Sequence, residues 1–256
     1  MTQNTPNSTV HILNPTGGSA AILVCEHASC FFPDKLNHLG LQPADRTSHA
    51  AWDPGALGVA TQMAKRLDAT LISSGVSRLV YDCNRPPSAP DAMRSRSELI
   101  EIPGNKNLSR QQKQDRTQRY YEPFRAAVAA RVSAAQSPII VTVHSFTPIY
   151  FGEPRAVEIG VLHDDDSRLA DAMLQTAADH TSMNVQRNDP YGPDDGVTHT
   201  LREHALPAGH LNVMLEIRND LIKNEFQQTA VGDMIAQWLV SATQLTEAKG
   251  LVLCVA

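Results

Sequence analysis

The stretch Pro138–Ile139–Ile140–Val141–Thr142–Val143–His144–Ser145–Phe146 decides the fold. Its apolar, mostly β-branched run predicts a strand buried on both faces, as in the middle of a parallel sheet. The run closes on His144, a side chain competent to bind metal. Ligands of open α/β sheets sit beyond the carboxyl ends of the strands, which is where this strand delivers His144. Ala21–Ile22–Leu23–Val24–Cys25–Glu26–His27 and Leu211–Asn212–Val213–Met214–Leu215–Glu216 follow the same plan. Three strands of one sheet that end in His27, His144 and Glu216 bring their tips to one site.

A chain of 256 residues fits one large α/β domain. At that length roughly three quarters of the unfolded surface can be buried, so folding needs neither disulfide nor structural metal. Cys25, Cys30, Cys83 and Cys254 form no CxxC pair, which points to a reducing, cytoplasmic setting. The first twenty residues lack the basic start and apolar run of a signal peptide. No apolar stretch reaches the ~20 residues of a membrane span. A net charge of -5 argues against a general nucleic-acid binder. It leaves room for a small anionic substrate, because a few arginines in a cleft suffice. Neither nucleic acid nor membrane is therefore expected as a partner, and nothing in the sequence specifies an oligomeric state.

Residues 1–18, with Gly17–Gly18 at their end, read as a flexible arm before a single domain over 19–256. Asp53–Pro54 before an apolar periodic run predicts a helix to about Leu67, with Asp53 as N-cap and Pro54 at N1. Short strands are expected over Ala69–Ser73 and Arg78–Asp82. Residues 86–107, rich in proline, should form a long loop of the kind that often covers a site. A long helix over about 109–135 precedes the His144 strand, and Glu158–His163 reads as another strand. Helices are expected near 167–180, 200–205 and 225–245, with turn chemistry over 188–196. Strands alternating with helices imply a mostly parallel mixed sheet in a three-layer α/β/α arrangement.

His27 and His144, each alone, are ordinary strand-end histidines. With a carboxylate they match the two-His, one-carboxylate set of a catalytic zinc. Asp53 is either a helix cap or that carboxylate. Glu216 and Arg218 share a strand face, either as a structural ion pair or as a general base beside an anion-binding arginine. Asn84–Arg85 can grip a carboxylate, with Arg as a bidentate fork. Cys30, three residues after His27, raises a metal-free thiol hydrolase as an alternative. Neither GxGxxG nor GxxxxGK[ST] occurs.

The blocks Cys25–Glu26–His27–Ala28–Ser29, His49–Ala50–Ala51–Trp52–Asp53–Pro54–Gly55–Ala56 and Ser77–Arg78–Leu79–Val80–Tyr81–Asp82–Cys83–Asn84–Arg85–Pro86 resemble the N-formylglutamate amidohydrolase family. So do Ile102–Pro103–Gly104–Asn105, His144–Ser145–Phe146–Thr147–Pro148, Asn188–Asp189–Pro190–Tyr191 and Leu215–Glu216–Ile217–Arg218–Asn219–Asp220, in the family's order. The resemblance implies a phosphorylase/hydrolase-like fold related to zinc carboxypeptidases, with one zinc ion per chain. It implies His27 and His144 as ligands, Glu216 as general base and Asn84–Arg85 as the carboxylate clamp. In the reaction so implied Arg78 or Arg218 would stabilise the oxyanion, and, from the composition of the long loop rather than from the resemblance, Arg94 or Arg96 is expected to read a side-chain carboxylate. Carboxypeptidases supply a second ligand through His-x-x-Glu, but Cys30 stands at that position here. Asp53 is then the expected third ligand, with Cys30 as second choice. The implied reaction is hydrolysis of an N-acyl, formyl-like amide of an acidic amino acid by zinc-activated water. The rival from another class is a carboxylate-binding protein of the same fold without turnover.

Overall fold

Successive side chains of a strand point to opposite faces, so an apolar strand feeds two cores at once. The computed structural model describes residues 8–255. Its strands are β1 (Val10–Leu13), β2 (Ala21–Cys25), β3 (Thr70–Ser74), β4 (Arg96–Ser97), β5 (Ile100–Glu101) and β6 (Ile139–Phe146), followed by β7 (Ile149–Tyr150), β8 (Glu153–Pro154), β9 (Ile159–Leu162), β10 (Val185–Arg187) and β11 (Asn212–Arg218). Seven of them make one sheet in the order β1-β3-β2-β6-β11-β9-β10. The pairs β3/β2, β2/β6, β6/β11 and β9/β10 are parallel, whereas β1/β3 and β11/β9 are antiparallel. The sheet is therefore mixed and mostly parallel, and β6, at its centre, is buried along its whole length.

Ala21, Leu23, Val141, Val143, Val213 and Leu215 face one core. That core is covered by α2 (Ala56–Leu67), α5 (Arg168–His180) and α7 (Glu225–Gln244), counting α1 as Pro43–Arg46, α3 as Arg110–Arg116 and α4 as Glu122–Ala134. Ile22, Val24, Ile140 and Met214 face the other core, under Phe124 and Val128 of α4 and Leu201 of α6 (His199–His204). Helices on both faces of a sheet give the three-layer α/β fold.

Several expectations are corrected. Of the arm expected over 1–18, residues 1–7 lie outside the described residues, but Val10–Leu13 is the sheet's edge strand. Its apolar positions pack onto both cores, Leu13 on one and Val10 and Ile12 on the other, which anchors it. Arg78–Asp82 is not a strand. It turns, with Val80 N–H on Ser77 O at 2.9 Å, and buries Leu79, Val80 and Tyr81 together. A turn brings residues four apart to one side, and here it joins Arg78 to Asp82. The helix expected over 109–135 contains a π-helical turn at Thr117–Tyr121, just before α4. Pro123 lacks an N–H and cannot extend the i→i−4 ladder, so the helix widens there. The short strand β10 beside β9 was absent from the sequence reading.

The largest local correction concerns Asp53. It is not the side-chain cap of α2; Gly55 occupies that position at φ +85°. A Cβ there would lie 2.4 Å from the Ile222 carbonyl oxygen. Only glycine satisfies both the left-handed backbone and the close approach. Gly55→Ala is expected to lower stability by roughly 2–4 kcal/mol, from αL strain plus overpacking, read as the urea midpoint. An unchanged midpoint would refute this account of the turn that carries Asp53.

Candidate metal centre and cavity

Freed from capping, Asp53 faces the strand tips. Its Oδ2 lies 2.8 Å from His144 Nδ1 and 3.2 Å from His27 Nδ1, and it accepts the Ser145 N–H at 3.3 Å. The two Nδ1 atoms are 3.2 Å apart. The parallel register sets Glu216 beside His144, so the tip of β11 joins the same end of the sheet. His27, Asp53 and His144 are all buried, with their ligand atoms within 4.8 Å of one another. The structure thus brings together the three residues that the sequence nominated as metal ligands. Cys30 is not part of this cluster and does not line the cavity described below.

The outer ring nitrogens explain what the centre needs. His27 Nε2 is 2.7 Å from Asp82 Oδ1. Burial acts to raise the Asp82 pKa, but His27 and Arg78 outweigh it and hold this carboxyl well below its usual range. An ionised carboxylate only accepts, so Nε2 donates to Asp82 and Nδ1 is the ring nitrogen turned to the centre. His144 Nε2 lies 3.0 Å from Glu26 Oε2, outside linear hydrogen-bond geometry. Glu26 is fully buried, and it too stays below the usual carboxylate range because His144 overcomes its desolvation. The two Nδ1 atoms and a carboxylate oxygen converge on one point, an approach that requires a proton or a cation between them. Burial acts to lower the His144 pKa, yet Glu26 and Asp53 hold it well above its ordinary value. The donor set fits a divalent cation, with a carboxylate behind each histidine to orient it.

Sequence reasoning assigned no role to Glu26 or Asp82. Strand alternation puts Glu26 on the face of Ile22 and Val24, the same face that carries His144 and Glu216 along their strands. That signal was readable. Asp82 had none, because only the turn at 77–82 brings it beneath His27.

Arg78 bridges the centre, with Nη1 donating to Asp53 Oδ1 at 3.3 Å and Nη2 to Asp82 Oδ2 at 3.2 Å. Desolvation opposes its charge, but the two carboxylates keep its pKa raised. Glu216 is buried, and its Oε2 has no hydrogen-bond partner among the described residues. Burial pushes this carboxyl up, His144 opposes the shift and Asp53 adds to it.

These groups open onto a cavity of about 310 Å³ that His27, Asp53, Arg78, His144 and Glu216 help to line. The 86–107 segment forms the β4–β5 hairpin and contributes Asp91, Arg94, Ser97 and Glu98 to the wall. Asn84 and Arg85 also line it. Asn84 Oδ1 accepts from Thr200 N–H at 3.0 Å, and its Nδ2 donates to the Val197 carbonyl. Arg85 Nε donates to Asp91 at 2.8 Å. Arg94 reaches Asp91 at 3.3 Å, while Arg96 is exposed on the hairpin and outside the cavity wall. Arg218 is likewise not brought to the cavity. Its guanidinium pairs with Asp220 at 2.8 Å and Glu158 at 3.4 Å. Among the described residues no helix is long and apolar enough to cross a membrane.

Comparison with known proteins follows the same lines. The family model for N-formylglutamate amidohydrolase matches residues 19–223. No protein of curated function matches the chain. A solved gene product of Agrobacterium tumefaciens is similar at 50% identity and a TM-score of 0.90, over 93% of this chain and 96% of that one. The N-formylglutamate amidohydrolase of Ralstonia eutropha JMP134 has a similar fold, at a TM-score of 0.64 and 20% identity, over 92% of this chain and 97% of its own. With most of its length matched and the same fold, the chain belongs to the N-formylglutamate amidohydrolase family.

Proposed function

We propose that this protein is a zinc-dependent amidohydrolase that splits the formyl amide of an N-formyl acidic amino acid, N-formylglutamate being the expected substrate. The observation that carries this reading is the convergence of His27, Asp53 and His144 beside the unpartnered carboxylate oxygen of Glu216, at one end of an arginine-bearing cavity. The three residues would hold the metal. A bound zinc ion supplies Lewis acidity, which makes hydroxide available near neutral pH and draws charge from the acyl oxygen.

The chain's own residues do the rest. Glu216 takes the proton of the attacking water and delivers it to the departing amine. The water oxygen–carbon bond forms, the carbon–nitrogen bond breaks, and formate and the free amino acid leave. Arg78 is the cation that faces the developing oxyanion, since its side chain borders both the centre and the cavity. Arg85, with Asn84 fixing its approach, holds the α-carboxylate so that orientation contributes to rate. Asp82, accepting from His27 Nε2, leaves Nδ1 of that ring to the centre, and Glu26 supplies the negative charge behind His144.

Protein purified without added metal is expected to carry zinc near one ion per chain by elemental analysis, and His144→Ala to lose it. Because His144 holds a proton tightly in the metal-free centre, zinc uptake at neutral pH should also release protons, seen as buffer-dependent binding heat. Native protein that takes up no zinc even on incubation would sink the metallohydrolase reading.

A further inference from the structure

The arginines at or near the cavity differ in what they already hold. Arg78 is taken by Asp53 and Asp82, Arg85 and Arg94 share Asp91, and Arg218 holds Asp220 and Glu158. Arg155 is the exception. Among the described residues no carboxylate lies within ion-pair distance of it. Its guanidinium carbon sits instead over three rings, 4.5 Å from the Tyr150 centroid, 5.0 Å from Tyr191 and 5.5 Å from Phe146. All three rings line the cavity.

A half-buried cation without a counter-charge is a costly arrangement unless something else satisfies it. The ring faces attract a guanidinium, but they leave its planar fork of N–H groups largely unused. A long contact, Nη1 to the Thr147 carbonyl at 3.4 Å, takes one of them, and the Tyr191 hydroxyl is a second polar partner, neither of which carries a countercharge. The main chain at this position is anchored on both sides. Arg155 N–H donates to Pro148 O at 2.8 Å, and Arg155 O accepts from Arg218 Nη1 at 3.1 Å. Arg218, placed outside the cavity, therefore has work in fixing Arg155. Arg155 does not itself line the cavity but stands against the three rings that do, and Tyr191 and Glu216 both feel its charge, so it borders the cavity on the general-base side.

From this arrangement we infer that Arg155 is a specificity-determining residue that recognises a carboxylate of the substrate, held ready on the Phe146–Tyr150–Tyr191 wall. The inference rests on the proposed hydrolase reading, but binding tests it separately from turnover. Planar, bidentate pairing with a carboxylate is the chemistry an unpaired guanidinium offers. With the α-carboxylate assigned to Arg85, the side-chain carboxylate is the group left for Arg155, and the probes below distinguish the two.

The test uses zinc-loaded protein and three probes: N-formylglutamate, N-formylglutamine (which lacks the side-chain carboxylate) and the α-amide of N-formylglutamate. Binding is measured by calorimetry in a Glu216→Gln background, and kcat and KM in the otherwise native protein. Arg155→Gln should weaken N-formylglutamate binding by roughly 10- to 100-fold, the range of a charge-assisted pair, and raise KM more than it lowers kcat. One of the two amides should bind equally well with or without Arg155, and that amide names the carboxylate it reads. Arg155→Lys should restore part of the loss, and Arg96→Gln, outside the cavity, should change nothing. Melting temperature and zinc content report whether the variants fold. Equal loss on all three probes would mean a structural role, and no loss on any would also overturn the inference. If native protein binds these probes through Arg155 but hydrolyses none, the hydrolase reading fails while the inference stands.

Discussion

Glu216→Gln is expected to keep its zinc and to lower kcat by roughly 10²–10⁴-fold, the usual contribution of a positioned general base. The substitution is nearly isosteric. It removes the ability to accept a proton while leaving the strand tip and its neighbours in place. Glu216 suits the role because it is buried beside the metal candidates, with one oxygen that has no hydrogen-bond partner among the described residues. Burial and Asp53 push its carboxyl up, which makes it a better proton acceptor than an exposed glutamate, and a cation in the centre would draw it back toward ionisation. The measurement is kcat with zinc content on the same preparation. If kcat is kept in fully loaded protein, Glu216 is not the base. If activity and zinc are lost together, its role lies in holding the centre.

Asp53→Asn is expected to weaken zinc by more than the roughly 10–100-fold that an outer-shell carboxylate costs, because it removes a ligand outright. Asp53 is the hub of the site, in contact with both imidazoles, the Ser145 N–H and Arg78. Burial acts to raise its pKa, but His27, His144 and Arg78 hold it well below the usual carboxylate range. It is therefore ionised whenever the fold is intact, as a ligand must be. The amide keeps the size of the side chain but lacks the charge, so secondary structure should persist while chelator competition shows the loss. Unchanged zinc affinity would remove Asp53 from the ligand set. Cys30→Ser serves as the comparison and should leave zinc affinity as it was, since Cys30 stands apart from the cluster.

Local pattern was enough for the framework. The apolar run to His144 could only be a central strand, and its two companions, ending near His27 and Glu216, carried the same signature. Their parallel pairing then placed His27, His144 and Glu216 at one end of the sheet. Where local signals had two meanings, tertiary contacts chose between them. Asp53–Pro54 reads as a helix start, but Gly55 takes the cap and releases Asp53 to the centre. Arg78–Asp82 has strand-like residues, yet burial of Leu79, Val80 and Tyr81 beneath the loop favours a turn. The arginines show the limit most clearly. Every guanidinium is alike in a sequence, and which of them is neutralised depends on where the fold places carboxylates, some near in the chain and some, like Glu158 for Arg218, far from it. Arg218 pairs with Asp220 and Glu158, and Arg85 with Asp91, while Arg155 lies against rings and meets no carboxylate among the described residues. Periodicity is a short-range property and is written along the chain; charge pairing is a property of distance in space and is settled only when the chain is folded.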